Sequence, residues 1–355
     1  MIRFRAPVVA LSLTAFTAIL AAAVTPAVAA AASGQSAARA KPVTNGQAAA
    51  GWLARQMTGG SHFVDVFGGK TFVDQGRTID AIFAFAATKV AKDFGARATS
   101  WLEQPKILSG YIGDGKTSSF AGSTAKAALA AEVQGVNPAK FGGVNLLARL
   151  AALLTKSGRY SDHSSFGDFS NAFSQSLAIL ALSRHGKVPV SAVNFLVSSE
   201  CKDGGFPLDF AQKKCVSDPD STGMDVQALL AAGRRLAAQR GLHWLARAQL
   251  PGGGFVSEAG AAPNANSTGL AGDAFAAGRW TRRAARASRF LLSLQVGCSG
   301  RVTRRGAIAF DKTGFAHRTA VSATAQGLLG IADVGLAVLS AHGSHPGAPR
   351  LACGS

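Results

Sequence analysis

The sequence predicts an all-α protein, a six-hairpin α/α toroid with two concentric helical walls. Two features of the chain lead there. Short apolar anchors, an aromatic residue or leucine followed by leucine, recur at Trp52-Leu53, Trp101-Leu102, Leu146-Leu147, Phe195-Leu196, Trp244-Leu245 and Phe290-Leu291, at intervals of 49, 45, 49, 49 and 46 residues. Each anchor opens the same layout: an apolar helix, a Gly-rich loop, then a second helix rich in alanine and leucine. Composition agrees, because 355 residues at 48% hydrophobic and 16% charged exclude a disordered chain and suffice for a large core.

Taken in order, repeat one runs from Trp52–Met57 through Gly59-Gly60 to a second helix at Ala81–Thr88. Repeat two has Trp101, then Gly110, Gly113 and Gly115, then Ala125–Ala131. Repeat three is worn, with a loop at Ser157–Gly167 and a second helix at Phe173–Leu182. Repeats four and five align best: Gly204-Gly205-Phe206 matches Gly253-Gly254-Phe255, and Ser221-Thr222-Gly223 matches Ser267-Thr268-Gly269. Their second helices are expected at Met224–Ala232 and Leu270–Ala277, capped by Asp220, Ser221 or Thr222 and by Asn266, Ser267 or Thr268. Repeat six has Phe290–Gln295, a longer basic loop and Thr319–Ile331. An open solenoid would need polar terminal repeats, whereas repeats one and six are as apolar as the others, so a closed ring is expected.

Arg3 and Arg5, an apolar run over 6–24 and Ala-Val-Ala at 27–29 have the order of a secretory signal peptide. The expected organisation is a signal peptide at 1–32, a flexible segment at 33–45, one toroid at 46–335 and a tail at 336–355. Export places the four cysteines in an oxidising compartment. Cys201 and Cys215, 14 apart, should bridge, leaving Cys298 to pair with Cys353 and tether the tail. A zinc site is disfavoured, since no histidine lies between Cys201 and Cys215. The formal net charge is +18, and ten basic residues against one acid, Asp311, fall between 276 and 320. Arg279, Arg282, Arg283, Arg286 and Arg289 make a helical stripe extended by Arg304 and Arg305, either a solvated face or a surface for an anionic envelope polymer.

The segments CKDGGF (Cys201–Phe206) and QLPGGGF (Gln249–Phe255), with the Ser-Thr-Gly segments that follow, resemble the prenyltransferase/squalene-cyclase type repeat over roughly residues 45–335. The resemblance, to a secreted bacterial member of the terpenoid cyclase and protein prenyltransferase superfamily, implies the α/α toroid. It leaves function open, because that superfamily includes cyclases, prenyltransferase subunits, vitamin B12 carriers and thioester domains. The cyclase motif Asp-x-Asp-Asp has its nearest counterpart in Asp218-Pro219-Asp220-Ser221, whose last position is serine. A cyclase-like role would fall to Asp218 and Asp220; helix capping is the plainer account of both. The histidine context of the zinc prenyltransferases and the Cys-Gly-Glu-Gln segment of thioester domains are missing.

The expected function is therefore that of a secreted or envelope-associated, non-catalytic barrel binding a small hydrophobic or amphipathic molecule or an envelope polymer. Binding would use loop residues Asp203, Asp209, Asp218, Asp220, Asn264 and Asn266. A terpene-cyclase-like enzyme or other lyase, and a structural or protein-interaction module, are the alternatives. No cofactor, metal or nucleic-acid partner is expected, and the chain is expected to be a monomer.

Overall fold

In the computed structural model, which describes residues 43–354 apart from residue 211, thirteen α-helices and one β-hairpin follow the repeat layout. The signal segment expected at 1–32 lies outside the described residues. The helices are α1 (Asn45–Arg55), α2 (Gln75–Thr88), α3 (Lys92–Leu102), α4 (Pro105–Ile112), α5 (Ala121–Val133), α6 (Leu146–Ala152) and α7 (Ala172–Ser183), followed by α8 (Val190–Ser198), α9 (Pro219–Ala231), α10 (Arg235–Ala248), α11 (Ala265–Ala277), α12 (Thr281–Ser293) and α13 (His317–Ala332). The hairpin pairs β1 (Phe63–Phe67) with β2 (Lys70–Asp74), antiparallel, within the loop of repeat one.

The second helices form the inner wall in the order α2, α5, α7, α9, α11, α13, and α13 packs back on α2 to close the ring. The anchors lie on the outer helices. There α1 packs on α2 and α13, α3 on α2, α6 on α5, α8 on α7 and α9, α10 on α9, and α12 on α11 and α13. This is the six-hairpin double-walled toroid. Close approach of the inner helices depends on small residues: a Cβ at Gly269 would stand 2.3 Å from the Gln326 carbonyl oxygen.

One side-chain position holds each hairpin together. The Thr222 hydroxyl accepts the Phe206 N–H at 2.9 Å, and Thr268 does the same for Phe255, also at 2.9 Å. Thr78 accepts from Phe63 at 3.0 Å and Thr324 from Ile308 at 2.9 Å. In the worn third repeat Gln175 substitutes, its Oε1 accepting the Tyr160 N–H while its amide donates to the Gly158 and Ala192 carbonyls. Only Thr124 differs, donating to the Phe120 carbonyl of its own helix start. The loop residues pinned in this way are buried, so each bond satisfies a backbone donor that water cannot reach.

Several expected boundaries move. The second helices of repeats four and five begin five residues earlier than expected, because Asp218 and Asn264 are the caps, accepting the Ser221 and Ser267 N–H groups at 2.7 and 2.9 Å. Pro219 then occupies the first helical turn, where its missing N–H costs nothing. Thr222 and Thr268, expected as possible caps, instead hold the loops. Helix α4 and the β-hairpin occupy stretches read as plain loop.

Both expected disulfides are present, Cys201–Cys215 and Cys298–Cys353. The C-terminal tail is a strap across the ring at the carboxyl ends of the inner helices. The Ala341 N–H bonds the Val133 carbonyl at 2.7 Å, and the Arg184 guanidinium donates to the carbonyls of Leu336, Ala337 and Leu339. Lys89 donates to the Ser340 and His342 carbonyls, and Arg55 to that of Ala348. One end of the toroid is thus strapped over, and the amino ends of the inner helices form the other.

The pinning bond is testable by isosteric replacement. Thr222→Val keeps the shape and strands the buried Phe206 N–H, so urea unfolding should show a loss of about 1–3 kcal/mol. Lys106→Ala, at an exposed position of α4, should change stability by under about 0.5 kcal/mol.

Candidate functional site

The pinning residue faces outward, so helical periodicity turns the positions two before, two after and five after it toward the ring axis. Around the ring the first of these is Gly76, Gly122, Phe173, Asp220, Asn266 and Ser322, all partly exposed. One turn deeper come Asp80, Lys126, Leu177, Met224, Leu270 and Gln326, of which Asp80, Lys126 and Gln326 keep some exposure. The third layer, Phe83, Leu129, Leu180, Gln227, Asp273 and Leu329, is buried. Accessibility therefore falls from the amino ends inward, so the axis-facing residues that keep some exposure sit at that mouth.

Two electrostatic features stand opposite each other in the mouth. On α2 and α5, the Lys126 ammonium pairs with Asp80 at 2.6 Å and donates to the Gly76 carbonyl at 3.1 Å. Burial pulls that ammonium's pKa down, but the charge and hydrogen bond of Asp80, with Tyr111 and Asp74, together outweigh it and leave the pKa raised. Tyr111 of α4 lies beside Gly76, and burial raises its phenol. Neighbouring Arg77 donates to Ser322 across the α2–α13 seam at 3.1 Å and pairs with Asp65 at 2.7 Å.

On α9, across the ring, the Asp220 carboxyl is pushed up to about 6. Burial is the main cause, the nearby Ser267 hydroxyl works against it, and the Asp218 charge adds to it. Its Oδ1 and the Asn266 Oδ1 are buried without a hydrogen-bond partner among the described residues. A carboxyl half-protonated near pH 6 holds a proton that it can give up at neutral pH.

Of the six loop residues expected to bind ligand, the structure turns Asp220 and Asn266 toward the axis. Asp218 and Asn264 are the helix caps. Asp203 accepts from Ser217, Trp244 and Gly205 at 2.5, 2.8 and 3.3 Å, bonds that fix its loop on the outer wall. Asp209 lines a separate recess of about 500 Å³ with Phe195, Phe210 and Cys215. The basic stripe is broken up as well. Arg279, Arg282 and Arg289 are exposed, while Arg283 and Arg286 are half-buried and donate to the loop at Gln249, Leu250 and Pro251. Arg304 stacks 4.8 Å from the Phe315 ring, and Arg305 donates to the Gly300 carbonyl.

Asp80, Lys126, Tyr111, Ser322 and Gln326 were not singled out from the sequence. Except for Tyr111, all lie at fixed offsets from the pinning position. Applying the Ser-Thr-Gly register of repeats four and five to the other repeats would have found them.

No protein-family model matches the sequence, and no match was found among curated proteins. Solved structures do match. The type II terpene cyclase MstE from Scytonema superposes with a TM-score of 0.61 at 13% identity, over 81% of this chain and 96% of that one. A protein from Actinoplanes gives 0.59 at 16% identity over 81% and 98%. The unsaturated glucuronyl hydrolase from Bacillus sp. GL1 gives 0.55 at 11% over 80% and 94%. The fold resembles the α/α toroid of terpenoid cyclases and glycosidases. At these identities the likeness concerns the fold.

Two further acids lie deep in the inner wall, away from the mouth. Asp225 accepts a hydrogen bond from the Ser176 hydroxyl between α9 and α7, and Asp273 is buried beside Gln227 between α11 and α9. Burial raises both well above the ordinary carboxylate range. Each keeps its proton in the folded chain and loses it near pH 4 in the unfolded chain, so the stability these two groups contribute is fully present below about pH 4 and is lost as pH rises. Each group contributes a slope of up to about 1.4 kcal/mol per pH unit. Denaturant unfolding between pH 4 and 8 should show this decline, and Asp225→Asn with Asp273→Asn should flatten it.

Proposed function

We propose that the mouth is an active site in which Asp220 is the general acid, protonating a carbon–carbon double bond of a small unsaturated substrate. The observation that carries this reading is Asp220 itself, a carboxyl pushed up to about 6 that faces the ring axis opposite the Asp80–Lys126 pair. Asn266, at the equivalent position of the neighbouring helix α11, has a buried side-chain oxygen without a partner among the described residues. The toroids it resembles support the choice of substrate. One is a terpene cyclase with geranylgeranyl dihydroxybenzoate as substrate, the other an unsaturated glucuronyl hydrolase, and both names denote unsaturated molecules. On this support we prefer an enzyme to the non-catalytic carrier expected from sequence.

The wall of the mouth favours a polar substrate. Asp80, Lys126, Asn266, Ser322 and Gln326 line its upper two layers, with Phe173 as the one aromatic at those positions. An unsaturated uronide fits that lining. A polyene is the second reading, favoured by Leu177, Met224 and Leu270 on the α7–α9–α11 side. Export by the signal segment, which the two disulfides support, gives such an enzyme access to envelope or external substrates.

The test is turnover of a 4,5-unsaturated uronyl disaccharide and, in parallel, of a geranylgeranyl phenol, in deuterated water. Deuterium should enter the product at the protonated carbon. Activity should fall as pH rises through about 6, since the protonated acid is the working form. Asp220→Asn should lower the rate about 100-fold or more with the fold intact. Equal rates for wild type and Asp220→Asn would remove Asp220 from the chemistry.

A further inference from the structure

Most of the large exposed apolar side chains lie at one end of the toroid, with Val190, Leu236 and Val338 exposed elsewhere. Val66, Phe67, Phe72 and Val73 lie on the hairpin before α2, Phe166 and Phe169 on the loop before α7, and Leu208 and Val216 on the loop before α9. All three segments precede inner helices and so belong to the mouth. Phe67 and Phe166 are each 81% exposed and Phe169 is 69% exposed, a large cost in water with no structural return.

The hairpin is the most telling. The register pairs Phe67 with Lys70 and Asp65 with Phe72 on one face, and Val66 with Thr71 and Val64 with Val73 on the other. Both faces carry apolar groups toward the tip, where Gly68 and Gly69, both at positive φ, make the turn. A hairpin apolar on both sides is shaped to enter a fluid apolar medium, whereas one meant for a groove would be apolar on one face.

The apolar loops also stand on different sides of the ring, since α2 and α9 are opposite each other. A planar apolar layer meets them together. Cations flank them: Lys70 at the hairpin turn, and Lys213 and Lys214 beside Val216, all exposed. Of the nearby acids, Asp65 pairs with Arg77 and Asp168 with Arg159, while Asp209, beside Leu208, is exposed. The chain as a whole carries +18. No helix among the described residues is long and apolar enough to cross a membrane.

We infer that the mouth rim docks on an anionic lipid bilayer, with Phe67, Phe72, Phe166 and Phe169 entering the interface and Lys70, Lys213 and Lys214 meeting the headgroups. This docking does not depend on the acid chemistry at Asp220.

The experiment is co-sedimentation of the disulfide-intact protein with vesicles of mixed phosphatidylglycerol and phosphatidylcholine, and with vesicles of phosphatidylcholine alone. The wild type should bind the anionic vesicles, bind the neutral ones at least about tenfold more weakly, and lose affinity as salt rises. Phe67→Ser/Phe72→Ser and Phe166→Ser/Phe169→Ser should each weaken binding about tenfold. Arg282→Ala/Arg289→Ala, on the outer wall, should leave it unchanged. Wild type remaining in solution with anionic vesicles would overturn the inference. So would phenylalanine variants that bind like wild type, since the basic surface alone would then account for adsorption. A concentration-dependent dimer abolished by the same phenylalanine substitutions, with no vesicle binding, would identify a second copy as the occupant and overturn it equally.

Discussion

The toroid depends on a single side-chain position repeated around the ring. In five of the six hairpins a threonine, or Gln175 in its place, takes the N–H of a buried loop residue. That bond fixes more than the loop. In those five hairpins it also fixes the rotation of the inner helix about its own axis and so decides which residues face the centre. With small residues such as Gly269 allowing close approach, six helices so oriented meet around one axis, and α13 returns to α2. The mouth and its chemistry follow from that rotation, because Asp220, Asn266 and Asp80 stand at fixed offsets from the same position.

The repeat period was legible because the anchor pairs serve one purpose in every hairpin: they fill the outer helices that cover the inner ring. The count of hairpins, the closure and both cysteine pairs followed from it. Helix starts were less legible. Ser221 and Thr222 have cap chemistry, yet Asp218 three residues earlier also does, and only the geometry of the loop assigns the roles. The β-hairpin was hidden because Phe63–Phe67 and Lys70–Asp74 lie in a segment whose glycines read as loop. The end of the tail, from His342, is polar and rich in Gly and Pro. The tail's carbonyls are nonetheless held by Arg184, Lys89 and Arg55, residues far away in the chain.

In the candidate site, sequence found one wall and missed the other. Asp220 and Asn266 lie in the best-preserved repeats, where alignment drew attention to them. Asp80 and Lys126 come from repeats one and two, where nothing in their local sequence marks a site, and their pairing is a tertiary event between α2 and α5. The environment of Asp220 was also beyond the sequence. Two carboxylates at a helix start suggest charged caps, which holds for Asp218, but two residues later the helix has turned the second carboxyl inward. The division of roles between Asp218 and Asp220, one a cap and one a proton donor, is set by about half a turn of helix.

The account stands on the protonation of Asp220. The most direct measurement is a ¹³C-carboxyl NMR titration of the aspartates, with Asp220 assigned by the signal lost in Asp220→Asn. The account predicts that this resonance titrates with a midpoint near 6. A midpoint near 4, the range of an exposed aspartate, would mean that the carboxyl is ionised in the mouth, and the proposed acid would be contradicted.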